Sequence, residues 1–260
     1  ILDSGNLNIP VRETIDETNA KSHYLPETAK ACSDLCEVTY QACLAGRTPI
    51  TIGGDHSIAM GSVAGVSKAA CEQQKKIAVI WFDAHADLNT PDSSPSGNIH
   101  GMPLSALLGD GFPELVKIGG DGPKVDPKNV ALIGIRTLDA EERKICKESG
   151  IHYYTMREID EQGMGTVMRD AISKVTSDAD TIHVSLDIDA IDPQYAPGVS
   201  TPETGGLSYR EIHLGLEMVS DTGKLGSLDI VELNPMCDFG HKTANLAVEL
   251  VQSALGKSIV

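Results

Sequence analysis

A cluster of acidic and histidine side chains follows an apolar segment near residue 80. In "IAVIWFDAHAD", residues 77–87, Asp83, His85 and Asp87 come directly after six apolar residues that should form a buried strand. Carboxylates and imidazoles at such close spacing are common ligands of divalent metal ions. A D-x-H-x-D run taken alone is more often part of a solvated loop, so a metal site needs support from elsewhere in the chain.

That support comes from three other predicted strands, 49–52, 181–186 and 225–233, which also lead into ionisable side chains. In open α/β sheets the carboxyl ends of the strands meet at one edge, where ligands bind. Burying several carboxylates together without cations would cost many kcal/mol, so this convergence favours a metal site. The side chains at or just beyond the ends of these three strands are Asp55, His56, Asp187, Asp189 and Glu232.

The donor set suggests two ions. Two histidines and four aspartates exceed the needs of one tetrahedral zinc ion, but they suit two ions that share bridging carboxylates about 3.5–4 Å apart. The excess of carboxylates favours manganese, while the imidazoles leave nickel, cobalt and iron open. Water bound between such ions loses a proton near neutral pH, which predicts metal-assisted hydrolysis. The candidate ligands are His56, Asp83, His85, Asp87, Asp187 and Asp189.

The elements that must position these residues alternate along the chain. Helical patterns intervene between the apolar segments, which predicts a three-layer α/β fold with a mostly parallel sheet. The predicted strands are 49–52, 77–82, 130–135, 151–155, 181–186 and 225–233, and the predicted helices are 26–46, 58–73, 101–109, 139–149, 164–176, 208–221 and 242–255. Residues 10–25 are polar and weakly patterned, which predicts a mobile loop.

Composition limits the classes of function. A chain of 260 residues, 41% hydrophobic, can bury one substantial core, so we expect a single domain. The formal charge of −16 disfavours nucleic acid and anionic membranes as partners. The six cysteines form no C-x-x-C pair, which is typical of a reducing compartment. Because no apolar run reaches the ~20 residues that span a bilayer, we expect a soluble, cytoplasmic protein.

Five motifs resemble those of the ureohydrolase family, and within it most of all the bacterial arginases. They are "GGDHS" (53–57), "DAHAD" (83–87), "SGNIHG" (96–101), "SLDIDAIDP" (185–193) and "TPETGGLSYRE" (201–211), in a likeness that extends from about residue 26 to the end. The resemblance implies an arginase-like fold with a central sheet of about eight strands and two Mn²⁺ per subunit. It also implies a homotrimer or a homohexamer that cleaves L-arginine to L-ornithine and urea by attack of a metal-bridging hydroxide.

The resemblance also implies a role for each site residue. One ion would be held by His56, Asp83, Asp87 and Asp187, and the other by His85, Asp83, Asp187 and Asp189. Asp189 would pass a proton to the leaving amine, His100 would exchange protons with solvent, and Glu232 would bind the guanidinium. Asn89, Ser94 and Ser96 would bind the α-carboxylate and Asp139 the α-amino group. Thr201 would contact the guanidinium or order its own turn. Independently of the resemblance, Asp229 lies inside the last predicted strand, where we expect it to support the metal ligands.

Two departures from the family pattern and three alternatives remain. The chain starts at Ile1 without the first strand and glycine-rich loop of arginases, and Thr137 stands where animal relatives carry an aspartate near the α-amino group.

An agmatinase or another ureohydrolase would use the same metals, but the polar loop "NTPDSSPSGN" (89–98) suits a carboxylate. The other two alternative functions are a non-catalytic binding protein and a single-zinc, deacetylase-like hydrolase. We expect the remaining histidines, His23, His152, His183, His213 and His241, to be structural.

Overall fold

The fold is built on six parallel strands, which lie across the sheet in the order Ile50–Ile52, Leu225–Val231, Thr181–Asp187, Ile77–Phe82, Val130–Ile135 and His152–Thr155. The computed structural model describes residues 1–11, 14–15 and 22–257. Half of the predicted loop at 10–25, residues 12–13 and 16–21, therefore lies outside the described residues, and its last residue, Leu25, begins the first helix. The strands are β1 (Ile50–Ile52), β2 (Ile77–Phe82), β3 (Val130–Ile135), β4 (His152–Thr155), β5 (Thr181–Asp187) and β6 (Leu225–Val231).

All six strands predicted from the apolar segments are confirmed, and β2 and β3 have the predicted bounds. The expected count of about eight strands is not matched, because the sheet has six in the described part of the chain. That count came from the family resemblance, whereas the apolar segments of this chain predict six. Every observed pairing between these strands is parallel, as expected for strands that are apolar on both faces.

Nine α-helices flank the sheet within the described residues, and seven of them correspond to predicted ones. The two that were missed, Pro113–Val116 and Met156–Gln162, have only four and seven residues. The helices are α1 (Leu25–Leu44), α2 (Ala59–Glu72), α3 (Pro103–Leu107), α4 (Pro113–Val116), α5 (Ala140–Glu148), α6 (Met156–Gln162), α7 (Met164–Val175), α8 (Tyr209–Asp221) and α9 (Lys242–Ala254).

Hydrophobic side chains cover both faces of the sheet. On one face Ile80 and Phe82 of β2 pack with residues of α7, α8 and α9. On the other face Val79 and Trp81 of the same strand pack with residues of α2 and α5. Successive strand residues point to opposite faces, so a continuous apolar strand serves two cores. The result is the predicted three-layer α/β architecture.

Helix α1 packs on α2 at very close range. A side chain at Gly61 or Gly65 of α2 would collide with the backbone of α1, so glycine is required for this approach. Cys32 and Cys36 are buried on α1 at the same contact, where they act as small core residues. No described helix is long and apolar enough to cross a membrane.

The strand register delivers the predicted metal ligands side by side. Phe82 of β2 pairs with Leu186 of β5, so Asp83 and Asp187, the next residue of each strand, leave the sheet as neighbours. Asp187 pairs in turn with Val231 of β6, and Glu232 follows at once. Parallel pairing therefore brings distant parts of the sequence to one edge of the sheet.

Candidate metal centre and active site

The first group of candidate ligands surrounds the imidazole of His56, which lies in the turn after β1. Its Nδ1 is 3.0 Å from Asp83 Oδ2, 3.2 Å from Asp87 Oδ2 and 3.2 Å from Asp187 Oδ2. All four side chains are buried. One nitrogen and three carboxylate oxygens from three parts of the chain thus face a common point.

The second group is centred on His85, two residues beyond Asp83. His85 Nδ1 lies 3.1 Å from Asp189 Oδ2 and 3.4 Å from Asp83 Oδ1. His56, Asp83 and Asp187 can each offer an atom to one ion, and Asp83, His85 and Asp189 to another, with the atoms of each set within 4.8 Å of one another. Asp83 belongs to both sets. Asp187, the other expected bridging ligand, belongs to the first.

The charges at this site favour a cation. Burial lowers the pKa of His85, but Asp189 and Asp83 outweigh that effect and raise it to about 12. Burial and repulsion from Asp189 and Asp83 raise the pKa of Asp187 well above its ordinary value. Burial and the Asp83 charge likewise raise the pKa of Asp87 to about 6. The site thus favours added positive charge.

Two buried atoms at the centre of the first group fit a metal ion directly. Within the described part of the chain, His56 Nδ1 and Asp87 Oδ2 have no hydrogen-bond partner, although they lie 3.2 Å apart. A buried polar atom without a partner costs about 1–3 kcal/mol, and such atoms are rare in folded proteins. Metal coordination would satisfy both, so the residues present fit a metal centre.

Neighbouring groups fix the orientation of the ligands. His56 Nε2 is 2.8 Å from Ser185 Oγ, and its ring stacks on Trp81 with centroids 4.0 Å apart. The Trp81 indole N–H donates to Asp83 Oδ2 at 2.9 Å. Backbone N–H groups of His85, Ala84 and Asp189 donate to Asp83, Asp189 and Asp187, respectively. Such outer contacts set ligand orientation and basicity in metal sites.

Five of the six candidate ligands, all but Asp83, line a cavity of about 250 Å³. A space of that size accommodates a small molecule but not a macromolecule. Its lining brings together residues from the ends of β1, β2, β3, β5 and β6. The lining residues are His56, His85, Asp87, Asn89, His100, Gly101, Thr137, Asp139, Glu142, Asp187, Asp189, Thr201 and Glu232.

Glu232 and His100 form another part of this cavity. Glu232 Oε1 accepts the backbone N–H of His56 at 3.0 Å and lies 3.4 Å from His100 Nδ1. The Glu232 carboxylate raises the pKa of His100 to about 8, despite the opposing effect of burial. A buried carboxylate beside an imidazole that titrates near neutral pH can bind a cationic group and exchange protons.

The end of β3 contributes polar groups at a further part of the cavity. The Asn89 amide donates to Asp139 Oδ2 at 3.0 Å, and Asp139 also caps α5 by accepting the Glu142 backbone N–H at 2.8 Å. Glu142 also lines the cavity and was not predicted as a site residue. Burial, followed by the Asp87 charge, raises its pKa to about 7. Its position in the first turn of a helix gave no sign that it faces a metal site.

Comparison with known proteins identifies the family. A profile of the arginase family matches residues 1–256. The arginase of Bacillus caldovelox is 45% identical over 261 residues, which cover all of this chain and 86% of that protein. The chain belongs to the arginase family. It is therefore a hydrolase of the arginase type.

Solved structures of arginases agree with the fold described above. The native Bacillus caldovelox arginase at pH 5.6 has a TM-score of 0.94, with 99% of this chain and 85% of that chain covered at 45% identity. Entamoeba histolytica arginase in complex with L-ornithine has a TM-score of 0.85 at 35% identity, covering 93% and 81%. The agmatine ureohydrolase of Thermoplasma volcanium has a TM-score of 0.70 at 25% identity, covering 88% and 68%.

Two residues of this arginase-family site adopt a left-handed backbone conformation. Asp87 has φ 53° and Glu232 has φ 62°. This conformation costs of order 1–3 kcal/mol for such residues and is concentrated at functional sites. At Asp87 and Glu232 the sharp turn of the backbone places a carboxylate in the cavity lining.

Other predicted site residues lie further from the cavity or make different contacts. Ser94 and Ser96 do not line it, and their hydroxyl oxygens accept the backbone N–H groups of Gly97 and Asn98 within the loop. Thr201 lines the cavity and donates to Asp189 Oδ2 at 3.0 Å, so its observed partner is a candidate metal ligand.

Asp229 does not contact a candidate ligand directly in the described structure. Its carboxylate contacts His183 Nε2 at 3.1 Å and the hydroxyl of Ser62. His183 also contacts Ser227, whereas His213 contacts Ser253 and His152 contacts the Lys128 carbonyl. These three histidines therefore lie in structural networks outside the cavity, as the sequence analysis expected.

Proposed function

We propose that the protein hydrolyses L-arginine to L-ornithine and urea and uses two Mn²⁺ ions per subunit. The observation that carries this proposal is the pair of ligand groups that share Asp83 and open into a 250 Å³ cavity containing Glu232. Membership of the arginase family and the Bacillus caldovelox arginase at 45% identity support the choice of arginine.

We assign one ion to His56, Asp83, Asp87 and Asp187, and the other to His85, Asp83, Asp187 and Asp189. When bound, such ions activate water at neutral pH, which a resonance-stabilised guanidinium requires because it is a poor electrophile. The acid-rich set favours manganese over zinc. Trp81 and Ser185 keep the ligands in place through the contacts described above.

Glu232 would orient the guanidinium through charge-assisted hydrogen bonds. Its Oε1 is already fixed by the His56 backbone N–H, so the carboxylate is preorganised for a planar cation. Asp189 Oδ2 would carry a proton to the leaving amine nitrogen, and the Thr201 hydroxyl holds that oxygen at 3.0 Å. His100 Nδ1 would exchange protons with solvent.

The α-carboxylate and α-amino group of arginine would bind at the end of β3 and the loop that follows β2. Asp139 would accept the ammonium, and Asn89 would donate to the carboxylate through the amide hydrogen not used for Asp139. The hydroxyl oxygens of Ser94 and Ser96 act as acceptors within the loop, which leaves their hydrogens available for a carboxylate, directly or through water.

The test is urea release from L-arginine and from agmatine by metal-stripped protein, with and without added manganese. We expect urea only with manganese and only from arginine. Glu232→Gln should abolish release, and Glu114→Gln on the exposed face of α4 should leave it unchanged. Hydrolysis of agmatine but not arginine would refute the substrate assignment, and no urea from either substrate would favour a binding protein.

We further propose that the chain is one domain that assembles as a homotrimer or homohexamer in the cytoplasm. The family match over residues 1–256 supports a single unit. The proposed oligomeric state is supported by the resemblance of the five sequence motifs to those of the family. Sedimentation equilibrium distinguishes three copies from six, and a monomer at micromolar concentration would refute it.

A further inference from the structure

Glu203 is an acidic residue beside the candidate metal centre that has no role in the assignments above. It lies in the loop between β5 and α8, and its side chain is 34% exposed. Its Oε2 accepts the Thr137 hydroxyl at 2.9 Å, and its backbone carbonyl accepts the Arg136 guanidinium at 2.8 Å. Its remaining carboxylate oxygen, Oε1, is 3.9 Å from His85 Nε2.

His85 has two ring nitrogens in different surroundings. Nδ1 faces Asp83 and Asp189, on the side proposed to hold an ion. If Nδ1 binds a metal, the ring proton must sit on Nε2, which then points a partial positive charge outward. Glu203 is the carboxylate within ion-pair distance of Nε2 in the described part of the chain. The separation exceeds a hydrogen bond, so the attraction is that of a charge for an N–H dipole.

The position of Glu203 is fixed by two residues that follow β3. Arg136 follows β3, and its guanidinium also donates to the backbone carbonyls of Asp189, at 2.7 Å, and Ala190, at 3.1 Å. This partly buried cation thus ties together two parts of the loop between β5 and α8, the part that carries the candidate ligand Asp189 and the part that carries Glu203. Thr137, the next residue, then holds the Glu203 side chain, so the carboxylate is preorganised toward His85.

We propose that Glu203 is a positioning residue that orients His85 and strengthens binding of the ion held by His85 and Asp189. A carboxylate that accepts the far N–H of a ligating histidine fixes the ring and raises its basicity, and its loss typically weakens metal binding about 10–100-fold; a carboxylate at 3.9 Å acts in the same direction but more weakly. The inference rests on the proposed two-ion centre. Partial exposure of Glu203 places the expected effect at the lower end, about 10-fold.

The experiment is titration of metal-stripped protein with Mn²⁺, with free Mn²⁺ measured by electron paramagnetic resonance. Glu203→Gln keeps the side-chain shape and the Thr137 hydrogen bond but removes the charge. We expect it to weaken one of two sites about 10-fold and to leave the other site and the melting temperature of the metal-free protein unchanged. Thr137→Val, which only releases the side chain, should weaken the same site less, and Glu114→Gln should change neither.

The same charge removal in a His85→Ala background assigns the affected site. Because the His85 site is already lost there, Glu203→Gln should not alter the remaining ion. Unchanged affinity in the single variant, equal weakening of both sites, or weakening that persists without His85 would overturn the inference. Wild-type protein that binds fewer than two ions would instead refute the proposed centre, so the two failures are distinguishable.

Discussion

Ser185 and Ser227 offer a matched test of the proposed role of His56. Ser185 Oγ is 2.8 Å from His56 Nε2, and Ser227 Oγ is 2.8 Å from His183 Nδ1. All four side chains are buried. Replacing either serine by alanine leaves a buried imidazole nitrogen without that partner, but only His56 faces the candidate metal centre.

The expected cost in stability is similar for the two variants. A buried ring nitrogen that loses its hydrogen-bond partner costs about 1–3 kcal/mol, so both Ser185→Ala and Ser227→Ala should lower the free energy of unfolding of the metal-free protein by that amount. Metal binding should separate them. A metal on His56 Nδ1 requires the ring proton to be on Nε2, where the Ser185 hydroxyl accepts it. Loss of that hydroxyl in Ser185→Ala should therefore weaken manganese binding about 10–100-fold.

The assay combines urea denaturation of the metal-free variants with Mn²⁺ titration. We expect both variants to lose a similar amount of stability and only Ser185→Ala to change its affinity for Mn²⁺. Equal weakening of metal binding by Ser227→Ala would show that the effect comes from general loosening of the sheet. Wild-type affinity in Ser185→Ala would refute the role of His56 Nδ1 as a ligand.

Three further predictions concern groups around the same cavity. The pKa of His100 is raised to about 8, so its ion pair with Glu232 should stabilise the folded protein fully below pH 6.5, and this stability should be lost as pH rises through 8. His100→Gln should lower the free energy of unfolding by at most about 1 kcal/mol, because solvent screens this partly exposed pair. The pKa of Glu142 is raised to about 7, so its ionisation destabilises the folded protein; this penalty is absent below pH 4.5 and grows up to pH 7. Glu142→Gln should therefore stabilise the metal-free protein at pH 8 by up to about 3 kcal/mol, but not at pH 4. Trp81→Phe should weaken Mn²⁺ binding about 10-fold through loss of the N–H bond to Asp83, and unchanged affinity in a titration would contradict this.

Most of the fold follows from features that are local in the sequence. The apolar segments 77–82 and 130–135 have polar neighbours on both sides, so their ends could be placed to the residue. Helix α6 was missed because it follows β4 without a loop. Its start is marked by Thr155 and Glu158, whose reciprocal capping hydrogen bonds form the T-x-x-E signature that could have revealed it.

The candidate site was predictable only where strand ends determine it. Asp83 follows β2 and Asp187 ends β5, the strand that pairs with β2, so their proximity depends on topology alone. Ser94 and Ser96 depend on how a loop folds, and their hydroxyls accept N–H groups within it. Glu203 was missed because its position depends on the approach of two loops through Arg136, which no local pattern records.

The most direct test of the two-ion centre is an anomalous difference map from a crystal of manganese-loaded protein. The account predicts two peaks at full occupancy, one beside His56 Nδ1 and the other beside His85 Nδ1, with Asp83 in contact with both. A single peak, or a pair of peaks away from these two nitrogens, would contradict it.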